Sequence, residues 1–155
     1  VRCGGKRDRL AATINAARHL PPQASWMAFL RNHDSVSFVI KNEAERSTWL
    51  KRVDDGTYAF ANGAETAQRL IDLLGRDETL LRRAFTQLYA LPTATVMYYG
   101  DELGMGNAEL PAGEVDLRTV IRAPFDWGEA RRQMAQPNSL WRHVQQQLQR
   151  RRERW

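Results

Sequence analysis

The feature that most constrains the fold is an alternation. Two short apolar runs each break off abruptly in a polar string, and helical stretches stand before, between and after them. The first run, Trp26-Met27-Ala28-Phe29-Leu30, ends in Arg31-Asn32-His33-Asp34. The second, Thr95-Val96-Met97-Tyr98-Tyr99, is β-branched and aromatic and ends in Gly100-Asp101-Glu102. Buried strands that deliver polar groups at their C-terminal ends have this pattern. The order helix, strand, long loop, helix, strand, long loop, helix predicts parallel strands joined by crossover helices, an α/β fold.

The helical stretches carry their own signals. Over residues 6–20, Leu10, Ile14 and Ala17 recur at helical spacing, and Pro21-Pro22 ends the segment. Residues 43–53 fit a helix before the turn Asp54-Asp55-Gly56, and Asn62-Gly63 marks a second turn. Asp77 is placed to cap a helix over 77–90, whose stripe is Leu81, Ala84, Phe85 and Leu88. Asn138 is expected to cap a last helix over 138–155, with Leu140, Val144 and Leu148 inward and Trp141 and Trp155 beside them. Residues 35–75 and 103–137 read as long connections, which are often functional.

Composition narrows the function classes. The 155 residues suffice for one domain with a core, and 43% hydrophobic with 26% charged residues is globular. The net charge of +5 is local: residues 131–155 hold seven Arg and one Glu, contributing +6, and the remainder is −1. The run Arg150-Arg151-Arg152 with Arg154 reads as the solvated end of a helix, and without a recognised motif it does not imply nucleic acid. No apolar run approaches the roughly 20 residues of a membrane span. One cysteine, Cys3, excludes a disulfide framework. His19, His33 and His143 are far apart and lack ligand spacing, so no metal or other cofactor is expected. Glycine-rich phosphate loops and a Gly-x-Ser-x-Gly elbow are absent. The start at Val1, with neither an initiator Met nor an apolar leader, predicts a fragment or processed product, and a cytoplasmic location is the expectation.

Three constellations could carry chemistry. Asn32-His33-Asp34 offers a carboxylate and an imidazole at a strand end, suited to sugar hydroxyls and to a developing oxocarbenium charge, or simply to capping the strand. Tyr98-Tyr99-Gly100-Asp101-Glu102 offers aromatic faces and acids, or an ordinary strand end. Arg122-Ala123-Pro124-Phe125-Asp126-Trp127 suits a ligand pocket, or a loop anchored by Phe125 and Trp127. Pairing Asp34 with Asp101 or Glu102 as two glycosidase carboxylates is geometrically open if the strands are neighbours.

Taken together and in order, these strings resemble the α-amylase family of glycoside hydrolases. Trp26 to Asp34 is similar to the motif around barrel strand seven, and Leu91-Pro92 with Val96 to Gly106 is similar to strand eight. Arg122 to Trp127 resembles the family's Arg-Thr-Pro-Met-Gln-Trp loop, and Ser139-Leu140-Trp141 resembles the start of helix eight. The likeness is greatest to trehalose synthases and related α-glucosidases. Three positions depart from the pattern: Ser35 stands where Glu is usual, Thr93-Ala94-Thr95 replaces Gly-Thr-Pro, and Phe125-Asp126 replaces Met-Gln.

The resemblance implies a single partial domain over 1–155. It would be the C-terminal portion of a (β/α)8 TIM barrel, with strand seven near 26–31, strand eight near 95–99 and the last helix at 138–155. A complete barrel needs about 250 residues. It implies a retaining α-glucoside-cleaving, isomerising or transferring enzyme acting on α-linked di- or oligosaccharides. In that family an Asp nucleophile follows strand four and a Glu acid/base follows strand five, so neither falls in this chain. Asp34 would be the transition-state-stabilising Asp, with His33 and Asn32 binding sugar hydroxyls and Arg122 closing the pocket. The chain alone is then expected to be inactive, and to need the missing barrel segment or to self-associate. A sugar-binding or regulatory relic of the same family is the alternative.

Overall fold

A computed structural model describes residues 12, 14–15, 19–37, 42–60 and 64–154. Among these the elements in chain order are β1 (Met27–Phe29), β2 (Val36–Ser37), α1 (Glu43–Val53), β3 (Ala59–Phe60), β4 (Glu65–Thr66), α2 (Leu70–Leu73), α3 (Glu78–Tyr89), β5 (Ala94–Val96), α4 (Trp127–Ala135) and α5 (Leu140–Arg152). Two 3-10 turns, Asp101–Leu103 and Leu117–Ile121, follow β5. The helix expected over 6–20 falls mostly outside the described residues; Ala12, Ile14 and Asn15 are helical, and His19 is not. The Asn62-Gly63 turn, Cys3 and Trp155 also lie outside them.

The α/β expectation holds at the level of mixed helix and sheet. β1 and β5 pair in parallel, with Met27 opposite Ala94, Ala28 opposite Thr95 and Phe29 opposite Val96. The intervening 64 residues make room for the crossover that a parallel pair requires. Within that crossover a small antiparallel sheet, in the order β2-β4-β3, organises part of the long connection expected over 35–75. β5 ends at Val96, three residues before the expected Tyr99, where its ladder partner among the described residues ends at Phe29.

The core forms where α3 and α5 pack against α2 and the inner face of the parallel pair. Leu70, Ile71, Leu81, Phe85, Leu88, Tyr89, Leu140 and Val144 are buried together, with Ala28, Leu30, Leu91 and Met97 packed onto them. Asp77 accepts the N–H groups of Thr79 and Leu80, as its position predicts. The last helix is capped one residue later than expected: the Ser139 side chain accepts the Arg142 N–H, while the Asn138 carbonyl takes a guanidinium N–H from Arg82.

Two expectations are corrected. The strands are not buried on both faces, since Met27 is 68% and Phe29 52% exposed while Ala28 and Leu30 face the core. Residues 103–137 are not one loop, because α4 occupies 127–135. Of its residues only Ala130 and Gln133 are buried. Tertiary hydrogen bonds hold it instead: the Gln133 amide donates to the Leu103 carbonyl at 2.8 Å and accepts the Trp141 N–H at 3.0 Å.

Candidate functional site

The polar string after β1 is shaped by Arg31. This side chain turns inward and is 3% exposed. Its Nε donates to the Gln68 carbonyl at 2.7 Å, and its Nη1 donates to the Asn32 carbonyl at 3.1 Å, to the Asn32 side chain at 3.2 Å and to the Asp34 carbonyl. One guanidinium therefore fastens the strand end to the segment before α2 and folds the next three residues around itself. The Asn32 side chain then accepts the Asp34 N–H at 2.9 Å.

This geometry leaves His33 exposed and the Asp34 side chain half open to solvent, at 49%. The Asp34 carboxylate accepts the Ser35 N–H at 3.0 Å and lies 3.4 Å from Arg118 Nη1. The backbone hydrogen bond from Ser35 and then the Arg118 guanidinium hold the carboxyl below the usual carboxylate range. Arg122 adds positive potential, and its Nε donates to the His33 carbonyl at 2.9 Å. The Ser35 hydroxyl donates to the Glu65 carboxylate, so a carboxylate still reaches the neighbourhood of position 35.

The second strand end is built differently. The hydroxyls of Tyr98 and Tyr99 donate to the carbonyls of Ile121 and Ala123 at 3.2 and 2.6 Å, tying the loop that carries Arg118 and Arg122 to β5. Gly100 sits at φ 84°, in the left-handed region that favours glycine, and a Cβ there would crowd the Met105 side chain. Asp101 is 3% exposed, 3.6 Å from the fully buried guanidinium of Arg69. That guanidinium stacks over the rings of Tyr98 and Tyr99 at 4.6 and 4.7 Å and donates to the Tyr99 carbonyl. Burial pushes the Asp101 carboxyl up to about 7, against the pull of Arg69 and Arg31. Burial also raises Glu102 and lowers Arg31 to about 10.

Asn32, His33, Asp34 and Arg122 are thus brought together by two distant segments. Of the two acids that the sequence offers as a partner for Asp34, Asp101 is buried against Arg69 and Glu102 has one carboxylate oxygen sealed from solvent. Arg118 and Arg69 were not singled out by the sequence. Arg118 sits two residues after Asp116, which it grips at 2.8 Å, and nothing local marks either residue as a neighbour of Asp34. Arg69 stands immediately before the short helix α2, and nothing in the local sequence marks it as a partner of Asp101. Among the described residues no group of three or more His, Cys, Asp or Glu side chains is gathered to hold a metal.

No family model matches the chain. Individual relatives do. A trehalose synthase of Thermus thermophilus is 30% identical over 126 residues, covering 81% of this chain and 12% of that protein. A trehalose synthase/amylase of Mycobacterium tuberculosis is 32% identical over 108 residues, covering 70% of this chain and 17% of that protein. A trehalose synthase of Pimelobacter is 33% identical over 89 residues, or 57% of this chain and 15% of its own length. This chain is a relative of the trehalose synthases. The resemblance to the α-amylase family is borne out at that level, and the relatives are enzymes by name. The chain spans 12% to 17% of the length of these trehalose synthases, so it corresponds to a small part of each.

Proposed function

We propose that this chain is part of an α-glucoside-acting glycoside hydrolase or transglycosylase and supplies strands seven and eight of its (β/α)8 barrel. The observation that carries the reading is the end of β1: a half-exposed carboxylate, Asp34, held ionised by Ser35 N–H and Arg118 beside exposed His33 and Arg122. A negative charge fixed at a strand's C-terminal end suits stabilisation of an oxocarbenium-like transition state. Asp34 is that group. His33, Asn32 and Arg122 hold hydroxyls of the same sugar ring, and the substrate is an α-linked di- or oligosaccharide. Nucleophile and proton donor come from outside the chain. A cytoplasmic setting belongs to the same proposal; among the described residues no helix is long and apolar enough to cross a membrane.

Two assays test this. The purified chain, offered maltose, sucrose, trehalose and an aryl α-glucoside, is expected to show no turnover. Substituted for the matched segment of the Thermus thermophilus trehalose synthase, it is expected to support activity that Asp34→Asn lowers by roughly a hundredfold or more. Turnover by the chain alone that disappears on Asp34→Asn would overturn the division of labour.

A second reading, a sugar-binding or regulatory relic, is favoured by the other carboxylates near this strand end. Asp116 is locked onto Arg118, and Asp101 is buried. Saturable maltose binding with an inactive chimera would support that reading.

A further inference from the structure

Residues 32–34 lie beyond the β1–β5 ladder, and arginine side chains take the place of a strand partner there. Arg31 Nη1 donates to the Asn32 carbonyl at 3.1 Å and to the Asp34 carbonyl, and Arg122 Nε donates to the His33 carbonyl at 2.9 Å. Three consecutive carbonyls thus accept from guanidinium groups. The other side of Arg31 is fastened to the segment Thr66 to Arg69, which is buried throughout: Nε donates to the Gln68 carbonyl at 2.7 Å. That segment is itself tied down. The Ala67 N–H donates to the Tyr58 carbonyl at 3.0 Å, the Asn107 side chain donates to the Ala67 carbonyl at 3.0 Å, and the Gln68 side chain donates to the Val53 carbonyl at 2.8 Å. Burying a cation is costly, so packing alone does not favour an arginine at position 31. What a guanidinium supplies and an ammonium does not is a rigid planar fork that holds separate acceptors at a fixed spacing.

The turn held by that fork decides where the next carboxylate sits. The Asn32 side chain, which accepts from Arg31 at 3.2 Å, also accepts the Asp34 N–H at 2.9 Å. The Asp34 carboxylate then accepts the Ser35 N–H at 3.0 Å and lies 3.4 Å from Arg118 Nη1. From this chain of contacts we infer that Arg31 is a positioning residue, whose fork fixes the turn that aims the Asp34 carboxylate at Ser35 N–H and Arg118. Arg31 is buried and acts only through Asp34. Its part in catalysis rests on the reading of Asp34 as the group that stabilises the transition state.

Carbon-13 NMR titration of the aspartate carboxyls in the whole chain tests it. Arg31→Lys keeps the charge and removes the fork. It is expected to raise the Asp34 midpoint toward the ordinary 3.8, and to leave Asp116, which Arg118 also grips, at about 2. Arg31→Gln, which removes the charge as well, is expected to give a similar rise. Circular dichroism checks that the variants fold. Where Arg31→Lys does not, Asn32→Ala reads the same turn by deleting the acceptor of the Asp34 N–H, and the Asp34 midpoint is again expected to rise; no rise there overturns the positioning role. So does an Asp34 midpoint that Arg31→Lys leaves unmoved, even if Arg31→Gln raises it, because charge alone then accounts for the effect. Asp34 and Asp116 rising together would mark a general loosening and overturn it too. If Asp34→Asn leaves the chimera fully active, the catalytic reading of Asp34 fails while the positioning result stands.

Discussion

At the residue scale, Asp34 and Asp101 show how environment separates two carboxylates that look alike in sequence. Asp34 is open and stabilised as an anion; Asp101 is buried and resists its charge. The consequences for stability run in opposite directions. An unfolded Asp titrates near 3.8 and folded Asp101 near 7, so between these values the folded chain keeps a proton that the unfolded chain has lost. The Asp101 contribution is therefore fully present below about pH 4 and is lost as pH rises to about 7, by an amount on the order of a few kcal/mol. Asp34 and Asp116, whose carboxyls are lowered, act the other way and lose their contributions only as pH falls below their ordinary range. Thermal melts from pH 4 to pH 8 are expected to show Tm falling toward neutrality. Asp101→Asn should flatten most of that slope, with a remainder from Glu102, which burial also raises. A slope unchanged by the substitution would contradict the burial argument. Sequence made Asp101 visible as an acid at a strand end, but its burial could not be read there, because the guanidinium that covers it comes from Arg69, 32 positions earlier.

At the scale of elements, α3 shows where local signals suffice. Asp77 caps it, Leu81, Phe85 and Leu88 fill the core, and the chain turns before Pro92. Phe85 is 1% exposed and stacks on Tyr89, with centroids 6.1 Å apart. Phe85→Ala is expected to cost about 3–5 kcal/mol and Asp77→Ala about 1 kcal/mol in urea unfolding. A Phe85→Ala midpoint equal to the parent's would sink the assignment of this core. α5 shows the limit of such signals. Leu140 and Val144 are buried as expected, but Leu148 is 39% exposed, and Gln147 takes the buried position instead. Arg151 adds a tertiary contact: its Nη1 donates to the Leu91 carbonyl at 2.6 Å and the Tyr89 carbonyl at 3.2 Å, and its Nη2 to the Thr93 carbonyl. This arginine, read as part of a solvated basic run, caps the end of α3 and steers the chain into β5.

At the scale of the whole molecule, the parallel pair is the exposed element. Among the described residues β1 pairs only with β5, so each strand has one edge without a ladder partner, and Trp26, Met27, Phe29 and Val96 are all 44–68% exposed. Unpaired edges with an apolar face promote association. Sedimentation velocity is expected to show mass rising with concentration, and the double substitution Phe29→Lys with Val96→Lys to suppress it. A monodisperse monomer at all concentrations would contradict this. By itself the sequence determined the main helices, the cap at Asp77 and the two strands of the parallel pair, the second expected three residues too long. Those features follow from spacing, capping and turn chemistry within a few positions of each other, whereas His33, Asp34 and Arg122 were singled out through the family resemblance. Only the tertiary structure decided that Arg118 meets Asp34 across 84 positions, that Arg122 holds the His33 carbonyl across 89, and that Asp101 is sealed behind Arg69. Those contacts depend on how helices and loops from separate segments pack against one another, which no periodicity within a segment encodes.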